Sequence, residues 1–413
     1  MYKKLLKALA LMLSLVLMIA AFSGCSSSTN TNKPDDKKEV TLKIWHSWTG
    51  AEEEALKEAI AKYTEKHPNV KFDTLYTPND NFKDKVTSAL QTGDGPDLFF
   101  GAHDWVGPMA TGGLILPIDE YVADVKGDYI QSVYDIASLN GKHYGFPLSM
   151  EAVVLIYNKD MVPTPPATIS EMIKMAKDNT KDGKYGLVVD LNNTFYNTYG
   201  FLTSFGGSAL KSDGVTPNLD SQGFVDYMKF MSKLINEDKI IPKQLDYGTA
   251  QSLFLEKKAA FWINGPWCFG DIEKTQNINW GAVPLPKNDI TGKDSAPFVG
   301  GKMAFLPKTA SDKALAADFA KFLTSAEIEK LFYDKAGTIA ANKNVTMDKW
   351  TAKLISEAAA KGVPMPVAPE MNQIWQPAKD ALAAVIDNGK DAASEAKAAN
   401  DKAIEAIKQM KGN

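Results

Sequence analysis

The sequence predicts an α/β protein built as two lobes, and three observations carry that reading. The run Leu98, Phe99, Phe100 is apolar at every position, as in a strand covered on both faces within a parallel sheet. Strand and helix patterns alternate from residue 40 into that run and then start afresh after Tyr157, which points to a second lobe rather than one longer sheet. With 413 residues, the chain exceeds one ordinary domain and can fill two large cores.

Taken in order, the chain begins with Lys3, Lys4 and Lys7, then an apolar run from Ala8 to Phe22, then Ser23, Gly24 and Cys25. A charged region, a hydrophobic region and small residues before a cysteine resemble the signal peptide and lipobox of bacterial lipoproteins. That resemblance implies removal of residues 1–24, acylation (palmitate) of Cys25 and anchoring on the outer face of the cell membrane. Residues 25–38 are polar and flexible in composition, a tether between lipid and fold. Cys268 is the only other cysteine, so no disulfide staples the mature chain.

Val40–Trp45 is β-branched and alternating, a first strand. Thr49 followed by Glu52 fits a capping box, with Leu56, Ile60 and Tyr63 on one helical face behind it. Asn69–Thr74 reads as a strand and Asn79–Gln91 as a helix with Phe82, Val86 and Leu90 at i, i+4 and i+8. A β-α-β-α-β opening means parallel strands joined by right-handed crossovers. Further strands are expected at Lys142–Pro147, Ala152–Tyr157, Tyr185–Val189, Ala259–Ile263 and Phe298–Leu306. Helices are expected at Ile169–Lys177, Thr198–Phe205, Gly223–Asn236, Asp312–Leu323, Ala326–Lys335 and Gln376–Lys408.

Composition narrows the function. The formal charge is -4, and loss of the first 24 residues, with their three lysines and no acid, makes the remainder more acidic still. No basic stripe exists to neutralise nucleic-acid phosphates. Arginine is absent throughout, which tilts the ligand away from carboxylates and phosphates that need a planar bidentate partner. The four histidines show no metal-ligand spacing, and Gly93-Asp-Gly95 is too short for a phosphate loop, so no metal or other cofactor is expected.

What remains are tryptophans at strand ends and in loops, with carboxylates nearby. Trp45, Trp48, Trp105, Trp267 and Trp375 stand in such places, whereas Trp262 lies inside a strand and Trp350 amid helix. An indole face buries the C–H face of a sugar ring, and a carboxylate accepts hydrogen bonds from its hydroxyls. Asp104 and Trp105 follow the strand Leu98–Phe100, at the carboxyl end where open α/β sheets bind ligands. Trp267 leaves its strand on Asn264-Gly-Pro266, a turn that cannot continue a ladder. Asp104 and Glu151 are also candidates for the paired carboxylates of a glycosidase.

Four ordered blocks carry a further resemblance: Thr92-Gly-Asp-Gly-Pro-Asp97 with Ala102-His-Asp104; Glu151 leading into Leu155-Ile-Tyr-Asn-Lys-Asp160; Ile263-Asn-Gly-Pro-Trp267; and Pro297-Phe-Val-Gly300. Together, spanning about Val40 to Lys408, they resemble the maltose/maltodextrin-binding proteins of bacterial ABC importers. The resemblance implies a periplasmic-binding-protein-like fold, two α/β lobes, 39–148 plus 298–345 and 149–297 plus 346–413, joined by hinge strands with the ligand cleft between them, acting as a monomer and delivering an oligosaccharide to membrane permease subunits. It implies Asp104 and Glu151 as hydroxyl acceptors, Trp267 and Trp375 as stacking platforms, and Phe195 where the family has a stacking tyrosine. Gly101 replaces an aromatic residue, Trp105 an arginine and Asn193 a glutamate, so Trp48 or Trp105 is expected to supply the stacking lost at Gly101. The same fold with another sugar, trehalose or a β-linked glycan, is the alternative these departures leave open.

Overall fold

The structure, a computed structural model, describes residues 39–412; the expected signal peptide, Cys25 and the expected tether lie outside them. Two sheets organise the chain. The first has the order Val70–Tyr76, Val40–His46, Leu98–Ala102, Lys302–Phe305, Gly145–Pro147. Its first three strands are parallel, and Lys302–Phe305 runs antiparallel to Leu98–Ala102, placing Met303 opposite Gly101. The second has the order Trp280–Val283, Val154–Asn158, Ala259–Asn264, Tyr185–Val188.

Each sheet is strongly apolar because helices cover it. Leu98, Phe99 and Phe100 are fully buried, as a strand without polar alternation requires. The helix Asn79–Thr92 buries Phe82, Val86 and Leu90 and ends at Gly93, whose φ of 85° allows a left-handed cap. Asp97 ties this region together, accepting hydrogen bonds from Lys43 N, Ser311 N and Ser311 Oγ at 2.9, 2.7 and 2.7 Å.

A third, small sheet, Val363–Pro364, Phe298–Gly300, Glu151–Ala152, lies where the chain passes between the two large ones. Glu151–Ala152 follows Gly145–Pro147 of the first sheet and leads into Val154–Asn158 of the second; Phe298–Gly300 makes the return passage. The apolar run expected as one strand, Phe298–Leu306, is therefore two. It breaks at Gly301, where a Cβ would meet Ser149 O at 2.2 Å. His103 packs under this crossing: its Nδ1 accepts from Gly301 N and its Nε2 donates to Met365 O, at 3.3 and 3.0 Å.

Two helical expectations also change. Gln376–Lys408 is two helices, Trp375–Asn388 and Ala392–Lys411, because Gly389 takes φ 64° and Asp391 caps the second through Ser394 N. The capping box at Thr49 does not form. Glu52 turns its carboxylate to Lys302 instead, and the helix Gly50–Lys66 receives its cap from Asp271 Oδ1, which accepts from Ala51 N at 3.0 Å. A capping box does form at Thr168 and Glu171.

Candidate functional site

The site grows from four places where the chain leaves a strand or enters a helix beside the small sheet. After Leu98–Ala102 the backbone enters a short 3-10 turn, His103–Trp105, which sets Asp104 at the strand's carboxyl end, 8% exposed. Glu151 pairs through its backbone with Gly300 and accepts from Ser149 Oγ at 3.4 Å. Trp267 lies in the 3-10 turn Pro266–Cys268, its ring packed over Gly265, where a Cβ would approach it to 2.1 Å. Trp375 begins its helix with its ring 5.7 Å from Phe195 and 6.0 Å from Phe298.

Tyr196 joins these groups. Its ring lies 6.4 Å from Trp267 and 6.3 Å from Phe298. Burial, with the charges of Glu151 and Asp104, pushes its phenol well above the usual range, so it stays a neutral hydroxyl between two carboxylates. Tyr196, Trp267 and Trp375 thus form a half-buried aromatic row around the fully buried Phe298, with Asp104 and Glu151 acting on Tyr196. Such a surface offers apolar ring faces and charged acceptors together, which a polyhydroxylated ligand can use at once.

Other expected residues sit elsewhere. Phe195 is 4% exposed and packs inward, edge-on to Tyr199 and Phe224, in the core that includes Phe201 and Leu202. The ring that borders the carboxylates is therefore its neighbour Tyr196. Trp48 is also a core residue, stacked on Phe100 at 4.5 Å and edge-on to Phe332 at 5.4 Å. Trp105 packs among Phe82, Phe99 and Phe305 and covers Gly101, where a Cβ would lie 2.3 Å from its Cε3. It occupies the space that a side chain at 101 would need. Asn193 donates from Nδ2 to Asp190 at 2.8 Å and to Asp80 at 3.3 Å, bridging to the helix Asn79–Thr92 instead of facing the aromatic row.

Besides Tyr196, the sequence reading misses Lys302 and its partner Glu52. Lys302 places its ammonium 2.5 Å from Glu52 Oε1 and 3.4 Å from Glu151 Oε1, with 17% of its side chain exposed. Burial would lower its pKa, but the two glutamates outweigh burial and hold it charged. The pairing with Glu52 was hidden because Thr49-x-x-Glu52 reads as a local cap, and Lys302 because it sits within an apolar run. Cys268, fully buried, has its thiol pushed well up by burial and is no nucleophile. Among the described residues no cluster of His, Cys, Asp or Glu could hold a metal ion, and no helix is long and apolar enough to cross a membrane.

Comparison with known proteins agrees with this architecture along its length. The maltose/maltodextrin-binding domain of Bdellovibrio bacteriovorus, solved bound to maltotriose, superimposes with a TM-score of 0.85 at 31% identity, over 89% of this chain and 100% of that one. The maltotriose-binding protein of Pyrococcus abyssi is 29% identical over 86% of this chain and 79% of its own length. A maltooligosaccharide ABC transporter solute-binding lipoprotein of Streptococcus pneumoniae is 28% identical over the whole of both chains. Residues 48–330 match one family across most of the fold just described, and the chain belongs to it: the bacterial extracellular solute-binding proteins.

Proposed function

We propose that the protein captures maltose and maltodextrin oligosaccharides outside the cell and hands them to the permease subunits of an ABC importer. In this reading the lobe 39–148 plus 298–345 closes on the lobe 149–297 plus 346–413, and the closed form is what the transporter engages. Sugar favours closure only through its higher affinity for that state, and exclusion of water strengthens each hydroxyl hydrogen bond inside. The observation that carries the reading is the half-buried aromatic row Tyr196, Trp267, Trp375 around Phe298, beside the carboxylates of Asp104 and Glu151. Acylation of Cys25 anchors the protein to the membrane through the tether, in keeping with the lipoprotein relative. Asp104 and Glu151 act as acceptors, not as a catalytic pair.

Isothermal calorimetry with maltose, maltotriose, trehalose, cellobiose and a β-linked galactan oligosaccharide tests this. Maltotriose is expected to bind with micromolar affinity, roughly -8 kcal/mol, and to change tryptophan fluorescence. Binding confined to trehalose or a β-linked sugar would move the ligand assignment, and release of reducing ends from maltodextrin would overturn the binding role.

A further inference from the structure

Lys302 follows the glycine pair Gly300–Gly301 at the hinge crossing. Its ammonium lies 5.8 Å from the Trp48 ring and 5.9 Å from the Trp267 ring, within the range of a cation over an indole. Trp48 and Glu52 come from the first-sheet side, Trp267 from the second, and Glu151 from the small sheet between them. Four groups from three parts of the fold thus converge on one cation. The strand geometry fixes its base: Lys302 N donates to Ser149 Oγ, and Leu148 N donates to Lys302 O, at 3.2 and 2.8 Å.

We infer that Lys302 is a positioning residue of the cleft: its ammonium holds the Glu151 carboxylate in place as an acceptor for the hydroxyls of a neutral oligosaccharide. The inference rests on the ligand reading above. Two buried carboxylates near each other would otherwise repel, and one would take up a proton. In a chain without arginine, a lysine flanked by Glu52 and Glu151 meets that need. The two indoles serve the same end, since a cation between ring faces retains stabilisation that water would have supplied.

Other titratable groups border this cluster without competing for the ammonium. Glu329 lines the same small cavity as Lys302 and Glu52. Asp271 and Tyr247 lie within electrostatic reach of Glu52, and Tyr196 within reach of both Glu151 and Asp104. His103 spends its ring on Gly301 N and Met365 O.

The test compares wild type, Lys302→Met, Lys302→Arg and the double variant Lys302→Met/Glu52→Gln, by maltotriose calorimetry from pH 5.5 to 8.0. Wild-type affinity is expected to stay within about threefold over this range. Lys302→Met is expected to bind at least tenfold more weakly at pH 7.5 and to weaken further as pH falls, because the uncompensated Glu52–Glu151 pair then takes up a shared proton that occupies the acceptor. Lys302→Arg should keep the flat profile, and Glu52→Gln should restore much of it to Lys302→Met by removing the like charge. Thermal melts of the sugar-free proteins supply a second arm. Lys302→Met should lose midpoint as pH rises from 5.5 to 8.0, where its uncompensated carboxylates ionise, and Lys302→Arg should not. A folded Lys302→Met that binds within twofold of wild type, or binds weakly with wild type's flat profile and a flat melting midpoint, overturns the inference. A wild type silent to every sugar overturns the proposed ligand instead, and the melting arm still decides whether Lys302 compensates the two acids.

Discussion

Removing the Asp271 carboxylate should weaken sugar binding without unfolding the protein. Asp271 Oδ1 accepts from Ala51 N at 3.0 Å, capping the helix Gly50–Lys66 from a different part of the fold, while Gln251 Nε2 donates to its other oxygen at 2.9 Å. Asp271 follows Trp267 by one helical turn, and Ala51 follows Trp48 by three residues, so the contact joins the helix after the first-sheet strand Val40–His46 to the helix after the second-sheet strand Ala259–Asn264. An N-cap of this kind contributes about 1 kcal/mol, with a range of about 0.5–2. If it forms only when the lobes are closed, Asp271→Ala takes that amount from the closed state alone, and affinity falls by a factor of about 5. Gly50→Ala strikes the same contact from the other side. Gly50 has φ 55°, and its Cβ would lie 2.4 Å from Asp271 Oδ1. The double variant should then bind better than the two single losses combined, because removing the carboxylate removes the clash. Calorimetry with maltotriose on all four proteins, alongside urea unfolding, gives the coupling. Losses that simply add, or an Asp271→Ala that loses unfolding free energy while keeping wild-type affinity, would refute a cap that forms on closure.

Two further outcomes follow from the packing and the buried charges. Trp267→Ala should lower sugar affinity at least tenfold with little change in stability. Trp262→Ala, at a residue 1% exposed against Phe254 and Tyr247, should cost about 3–5 kcal/mol of unfolding free energy in urea and leave the affinity of the folded fraction near wild type. Burial holds the Glu329 carboxyl well above the usual range, although Asn342 N donates to its Oε2, and its Oε1 has no partner. A folded-state pKa raised in this way gives stability that is present at low pH and is lost as pH rises, by at most about 1.4 kcal/mol per pH unit. Glu329→Gln should therefore gain on wild type as pH goes from 5 to 8 in a series of thermal melts. A gap that is constant with pH would contradict a protonated Glu329.

The periodicities that made the fold legible were those set by burial on a single element. Leu98–Phe100 and the Phe82, Val86, Leu90 face needed no knowledge of what lay opposite, and both occur as read. Features that depend on a distant partner were not legible. Glu52 looks like a local cap until Lys302, 250 residues on, is brought beside it. Phe298–Leu306 looks continuous because the requirement to break lies in Ser149 O, against which Gly301 packs. The site shows the same division. Asp104, Glu151, Trp267 and Trp375 stand at element ends, a placement that sequence position alone reveals. Phe195 and Tyr196 are adjacent, and only the packing of Phe195 against Phe224 and Tyr199 decides which ring remains at the surface.

The contact between Gly101 and Trp105 has a consequence for how such a pocket changes over time. Because the indole fills the volume above residue 101, the two positions behave as one mutational unit. An aromatic residue introduced at 101 meets a ring already in place, and loss of Trp105 alone leaves a hollow among Phe82, Phe99 and Phe305. Either first step is unfavourable in the background of the other. Moving the ring from one site to the other therefore takes both substitutions together, and a change made at either position alone is selected against by packing, whatever the ligand.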